Sequence, residues 1–196
     1  VYKDNVLAVP TAILQNPLFQ TPEELAKSMV MVEVMHHNFS NQIKRGRIVM
    51  HELAAPDTRM FFKTAFNLKF PIHSVIPVCE FGWSDIASCE ANNSSGQNMR
   101  YISDSERMSK HGPGCAFDIN PHQNPCFDID EDLVLKSIIP SGRGYFPGVP
   151  GSLQHGDELV ELMISLGWSW GGFWKFPKDY QHFQKVYPEL AHYYED

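Results

Sequence analysis

The sequence predicts an α+β fold: a single domain with a central antiparallel sheet and helices packed mainly on one side. Three observations point there. A length of 196 residues suits one domain with a proper core. Helix signals come first along the chain, and short strand signals then gather around two polar motifs, with one more helix between them. With 43% hydrophobic and 20% charged residues, the composition is that of an ordinary globule. No internal repeat or low-complexity stretch interrupts it.

Taken in order, residues 1–20 carry Pro10 and Pro17 among scattered apolar residues and read as an N-terminal arm packed over the domain. Residues 21–196 then form the functional domain. Thr21-Pro22-Glu23-Glu24 is a helix start, with Thr21 as cap, Pro22 in the first turn and Glu24 completing a capping box. Leu25, Met29 and Val32 continue it at helical spacing, which leaves His36 and His37 in a solvated last turn. Lys44-Arg45-Gly46-Arg47 reads as a basic turn before a strand at 48–51. A second helix is expected over 55–68, with Met60, Phe61, Thr64, Ala65 and Leu68 on one face. The β-branched run 74–79 reads as a strand, and His51 and His73 as boundary residues at element ends.

Residues 81–107 are polar and rich in Asn, Ser and Gly, a long loop of the kind that tends to carry function. Arg100, Arg107 and Lys110 make it locally positive. Residues 121–150, dense in Pro and Gly, read as a surface excursion, with His122 supporting the site at most. A third helix spans 156–166, burying Leu159, Val160, Leu162, Met163 and Leu166. Trp168 and Trp170 alternate on a strand and face the core, and residues 188–196 form a short closing helix.

The chemistry sits in Ser109-Lys-His-Gly-Pro-Gly-Cys-Ala-Phe-Asp-Ile-Asn120. Gly112, Pro113 and Gly114 make a tight turn, followed by a short strand from Cys115. Alternation puts Ala116 and Asp118 on one strand face and Cys115, Phe117 and Ile119 on the other. His111, just before the turn, can fold back toward Asp118, and an imidazole meeting a carboxylate suits zinc. From those two residues alone, ordinary turn chemistry, with Asp118 bonding backbone N–H groups, is the stronger reading. The second motif, Asp179-Tyr-Gln-His182, adds a third ligand and a carboxylate three residues before it. A catalytic zinc typically has three protein ligands, an open position and a nearby base.

Together these motifs resemble the zinc D-Ala-D-Ala metallopeptidases, which include D,D-carboxypeptidases, D-Ala-D-Ala dipeptidases and phage L-alanyl-D-glutamate endopeptidases of the bacterial cell wall. The family pattern S-x-H-x-x-G-x-A-x-D is filled by Ser109, His111, Gly114, Ala116 and Asp118, and the later [DE]-x-x-H by Asp179 and His182. The resemblance runs from about Arg47 to Phe183. Asn92-Asn-Ser-Ser95, Asn98-Met-Arg100, Asp118-Ile-Asn-Pro121 and Asn124-Pro125 are similar to one bacterial branch. Gln97 departs from it, since an aromatic residue usually stands there, and this bears on substrate fit.

What the resemblance implies is hydrolysis of an amide in a peptidoglycan stem peptide. His111, Asp118 and His182 would hold one Zn²⁺, Asp179 would act as general acid–base, and Arg100 would stabilise the oxyanion or grip a substrate carbonyl or carboxylate. Ser109 would orient the site or bond substrate, because no base is spaced to activate it as a nucleophile. Trp174, closest to the second motif, is the expected cleft wall. The place of action would be the cell wall, reached from the periplasm, by secretion or by phage delivery, and a monomer is the expected state. The bond cut, terminal D-Ala or internal L-Ala–D-Glu, stays open.

Two other readings belong to different classes. A non-catalytic zinc-containing binding module of hedgehog-like fold would lack the acid–base residue, which Asp179 supplies here. A structural zinc site would have four closed protein ligands, and three are found. The formal net charge of -7 argues against a nucleic-acid partner. No apolar run approaches the roughly 18 residues of a membrane helix, and no signal-peptide pattern is present. Cys79, Cys89, Cys115 and Cys126 lack C-x-x-C spacing, which argues against a cysteine-type zinc site. Four cysteines allow three disulfide connectivities in an exported protein, and Cys115 reads as a small buried hydrophobe.

Overall fold

The structure, a computed structural model, describes residues 1–102 and 106–194. In chain order the elements are β1 (Asn5–Ala8), α1 (Thr11–Leu14), α2 (Glu23–Lys27), β2 (Met29–His37), β3 (Ile43–His51), α3 (Ala55–Asn67), β4 (Ser74–Val75), α4 (Asp85–Glu90) and β5 (Asn93–Ser94). There follow β6 (Ala116–Asp118), β7 (Cys126–Ile129), β8 (Leu135–Ile139), α5 (Glu158–Ser165), β9 (Ser169–Trp170), β10 (Lys178–Asp179) and β11 (His182–Gln184). The class is α+β, as the sequence predicts. The antiparallel strands are shared among three small sheets, ordered β1-β2-β3, β10-β7-β8 and β6-β11-β9, beside a parallel pair β4-β5.

The largest departure from the sequence reading is at residues 29–47. Leu25, Met29 and Val32 share helical spacing, but α2 stops at Lys27 and Met29–His37 is a strand. Val30, Val32 and Val34 are β-branched, and that stiffness favours an extended chain over continuing the helix. Thr21 does not cap α2: its hydroxyl donates to the Leu14 carbonyl at 3.2 Å, and Pro22 occupies the cap position. His36 and His37 lie in the strand and are buried rather than solvated. The basic segment Lys44–Arg47 is no turn either. It lies within β3, where Arg47 stands opposite Glu33. The hairpin turn is made instead by Asn38–Gln42, with the Asn38 N–H donating to Gln42 O and Asn41 at a positive φ of 56°.

Helix α3 begins and ends close to where the sequence places it, but its buried face is Ala55, Thr58, Phe61, Phe62 and Ala65, while Met60 and Leu68 are exposed. In the run at 74–79 only Ser74–Val75 is a strand, and a 3-10 turn follows at Val78–Phe81. His51 is buried, whereas His73 stays at the surface. Residues 121–150 lie mostly at the surface, as expected, and are ordered there by the pairing of β7 and β8 over Cys126–Ile129. The arm at 1–20 is tied down: β1 pairs with β2, and the Asn16 carboxamide donates to the Met99 carbonyl at 3.0 Å. The loop at 81–107 contains α4 and β5, and its residues 103–105 lie outside the described residues; the closing helix expected over 188–196 is a 3-10 helix at Pro188–Tyr193, and residues 195–196 lie outside the described residues.

The core explains how the site is held. Phe117 of β6 and Phe183 of β11 are cross-strand partners with stacked rings 5.3 Å apart, packed against Phe61 of α3. Trp168 and Trp170 join this cluster, as expected, and the Trp168 indole N–H donates to Asp57 of α3 at 2.9 Å. Because strand residues alternate faces, burying the two phenylalanines turns Asp118 and His182 to the opposite side, away from the helix. All four cysteines are free thiols, and Cys115 is fully buried in the core.

Candidate metal centre

Asp118 and His182 are direct partners in the β6–β11 pair, and His182 Nδ1 lies 2.9 Å from Asp118 Oδ1. His111 arrives from the turn at 109–114. That turn is fixed by the Gly112 N–H to Ser109 O, the Gly114 N–H to His111 O and the Cys115 N–H to Lys110 O. Gly114 has a φ of +70°, and a methyl group there would come within 2.5 Å of the His51 nitrogen, so only glycine fits. The result places His111 Nε2 at 3.1 Å from His182 Nδ1 and 3.2 Å from Asp118 Oδ2.

The outward nitrogens have acceptors of their own, which favours one tautomer for each ring when a cation is bound. His111 Nδ1 lies 2.7 Å from the Gly96 carbonyl, so it is the N–H that donates there. His182 Nε2 lies 3.1 Å from Gln184 Oε1 and donates likewise. Each neutral ring therefore turns a bare lone pair inward, toward the other ring and a carboxylate. Three acceptors meet with no donor between them, which is repulsive unless a cation sits in their midst. Among the described residues these three form the group of His, Asp, Glu or Cys side chains with converging ligand atoms, all within 4.8 Å. Two imidazoles and one carboxylate at such spacing suit a tetrahedral zinc, whose ligands about 2.0–2.2 Å from the metal stand roughly 3.3 Å from one another. The residues present fit that ion.

The charges show that the group attracts positive charge, a proton on the imidazoles where no cation is bound. Burial alone would raise the Asp118 carboxyl, yet His111 and His182 hold it well below the usual carboxylate range. Burial works against a charged His182, but Asp118 outweighs it and raises that pKa.

Asp179 lies at the end of β10, opposite Cys126 of β7. Gly171 packs against its backbone so closely that a methyl group there would collide with the Asp179 carbonyl. Its Oδ1 is buried without a hydrogen-bond partner. Burial pushes the Asp179 carboxyl up to about 6, and the Asp118 and Asp85 charges push the same way, against His182 and His111. Arg100 sits nearby, 3.0 Å from Asp85 through Nη2. Burial disfavours its charge, but Asp85, Asp118 and Asp179 outweigh that and raise its pKa.

Of the other sequence-derived residues, Ser109 is buried and its Oγ accepts the His111 N–H at 3.3 Å, which braces the turn. Trp174 is half-buried, with its ring 5.4 Å from that of His182. Gln97 is buried and donates to the Gly112 carbonyl at 3.3 Å, so it steadies the same turn where an aromatic residue would pack. His122 is not at the centre; its Nε2 lies 2.9 Å from the Glu90 carbonyl. Sequence reasoning missed Gln184 and Asp85. Gln184 had a signal, since it lies two residues after His182 and shares its strand face. Asp85 had none, being brought to Arg100 by the fold alone.

Residues 103–185 match the family model described as D-alanyl-D-alanine carboxypeptidase. Neither a curated protein nor a solved structure matches the chain. The matched stretch, residues 103–185, holds His111, Asp118, Asp179 and His182 and is similar to the D-alanyl-D-alanine carboxypeptidase family.

Proposed function

We propose that the protein is a zinc-dependent peptidase that hydrolyses an amide bond in peptides of the bacterial cell wall. The observation that carries this reading is the meeting of three bare acceptors, His111 Nε2, His182 Nδ1 and an Asp118 oxygen, beside an acid poised near neutrality. His111, Asp118 and His182 would hold the ion, and among the described residues no fourth side chain closes the group. Zinc bound there supplies Lewis acidity, lowering the pKa of a coordinated water toward about 7 and polarising a carbonyl.

The remaining work falls to the chain. Asp179, with one oxygen dry and unpartnered, accepts a proton from water and returns it to the leaving amine. A free aspartate, at about 3.9, is a weak base; burial raises Asp179 into a useful range. Arg100 faces the charge that develops on the carbonyl oxygen. Trp174 walls the side next to His182, and Ser109 holds the His111 backbone in place. The likeness of residues 103–185 to D-alanyl-D-alanine carboxypeptidases supports a substrate among peptidoglycan peptides and activity at the cell wall.

The test is incubation of zinc-loaded protein with defined muropeptides, read by mass spectrometry, with a chelated sample and Asp179→Ala alongside. Cleavage that needs both the metal and Asp179 supports the reading. Intact muropeptides in every sample reject it.

A further inference from the structure

Asn93, Asn120 and Asn124 are fully buried, and each has its carboxamide paired on both sides. Asn93 Nδ2 donates to Ile76 O and Ser88 Oγ, while its Oδ1 takes the Ile76 N–H. Asn120 and Asn124 both donate to Gly151 O, and their oxygens take the N–H groups of His73 and Leu153. Asn98 breaks this pattern. It is 1% exposed, yet neither its Oδ1 nor its Nδ2 has a hydrogen-bond partner. Leaving a buried carboxamide dry is destabilising, and buried polar groups in folded proteins are nearly all paired. The asparagines that hold this fold together are paired, so Asn98 has another task.

Its position narrows that task. Ile102 N–H to Arg107 O, Ser109 N–H to Arg100 O and Asn98 N–H to His111 O run in antiparallel register. That register sets Asn98 opposite His111 and Arg100 opposite Ser109, and residues opposed in this way share a face. Gln97 and Met99 point the other way. The Gln97 carboxamide reaches Thr21 and Gly112 O, and Met99 packs with Leu25, Met31 and Val49. Asn98 therefore stands beside the ligand His111, on the strand face that also carries Arg100.

A carboxamide presents one acceptor and one donor group side by side, without charge. Its complement is an N–H and a C=O side by side. One residue of an extended peptide has both on the same edge, which is how opposed residues of an antiparallel ladder exchange two bonds. We propose that Asn98 is a substrate-binding residue: its Oδ1 accepts the N–H, and its Nδ2 donates to the C=O, of one residue of an extended peptide. The two bonds lay that peptide alongside His111 and the candidate metal centre. This rests on the hydrolase reading above.

The experiment compares zinc-loaded wild type with Asn98→Leu on muropeptides, with Asn124→Leu as a stability control. Leucine has similar bulk and no polar side-chain atom. Removing a carboxamide that has no partners leaves nothing unpaired. Asn98→Leu should therefore keep its zinc and match or exceed the wild-type Tm, while kcat/KM falls about 10–100-fold, the worth of two neutral hydrogen bonds. Asn124→Leu strands the Leu153 N–H and should lower Tm. Unchanged kcat/KM in Asn98→Leu overturns the inference.

A second measurement decides the matter whatever the stability of the variant. Stem peptides, each N-methylated at one amide in turn, are titrated by calorimetry into zinc-loaded Asp179→Asn protein, with and without Asn98→Leu. At one position the methyl group should weaken binding about tenfold, and Asn98→Leu should erase that difference. The same penalties in both proteins at every position overturn the inference and leave the hydrolase reading standing. Muropeptides left intact by the zinc-loaded wild type remove the hydrolase reading, and the inference with it.

Discussion

Asp118 and His182 face each other across one strand pair, and Phe117 and Phe183 face each other across the same pair on its other side. Core and candidate site are therefore two faces of six residues. Truncating either phenylalanine should damage the ligand geometry as well as the packing. Phe183→Ala is expected to cost about 3–5 kcal/mol of stability and to weaken zinc binding. Chemical denaturation and metal titration on the same sample check both effects.

The converging lone pairs predict that zinc stabilises the fold by mass action, since it binds the folded arrangement. Adding stoichiometric zinc to chelated protein should raise Tm. His111→Ala should bind no zinc and show no such rise. Metal content by mass spectrometry, taken together with thermal unfolding, decides this. Zinc content unchanged in His111→Ala would reject the ligand set.

Much of this was legible in the sequence, and the failures have physical causes. The site was readable because its parts are local: a Gly-Pro-Gly turn, a three-residue strand and an Asp-x-x-His motif. Alternation alone separated Asp118 from Phe117. Residues 29–37 misled because Leu25, Met29 and Val32 satisfy a helical period while the intervening valines prefer a strand, and pairing with β3 over nine residues decides between them. His36 and His37 followed that error. The basic stretch Lys44–Arg47 resembles a turn by composition, but it pairs with β2 as part of β3, with Lys44, Arg45 and Arg47 exposed and Gly46 buried. Asp85 and the outward partners of the histidines depend on contacts distant in sequence, which no local pattern records.

Asp179→Asn should keep zinc and lose turnover by about 10²–10⁴-fold, the range for removing a general base. Its pH signature in metal-free protein has a definite sign. The folded-state pKa of about 6 lies above the unfolded value. The contribution of the protonated carboxyl is thus fully present below about pH 4 and is lost as pH rises through about 6. Asp179→Asn should therefore stabilise chelated protein above about pH 6, with the gain fading toward pH 4. Thermal unfolding of both proteins across that range, in chelator, tests the sign. A gain that grows on acidification would contradict it.

Gly114→Ala tests the turn that delivers His111. A left-handed residue with a side chain costs roughly 1–2 kcal/mol, and the added methyl would also press on the His51 nitrogen, whose N–H donates to the Gly114 carbonyl. The expected result is a lower Tm and a weaker zinc affinity together. A variant with wild-type zinc affinity would show that the turn does not govern the position of His111.

Gln184 bears on the metal without touching it. Its Oε1 takes the His182 Nε2–H, and this bond leaves the Nδ1 lone pair turned toward Asp118 and His111. Replacing it with leucine removes the acceptor at similar bulk, so the ring can protonate Nδ1 instead and present a donor to the site. Partners of this kind typically matter 10–100-fold in metal affinity, and a loss of about that size is expected for Gln184→Leu. Gln184→Glu keeps an acceptor and should retain most of the binding. Competition titration against a zinc chelator ranks the three proteins, and equal affinities would mean that Gln184 does not set the His182 tautomer.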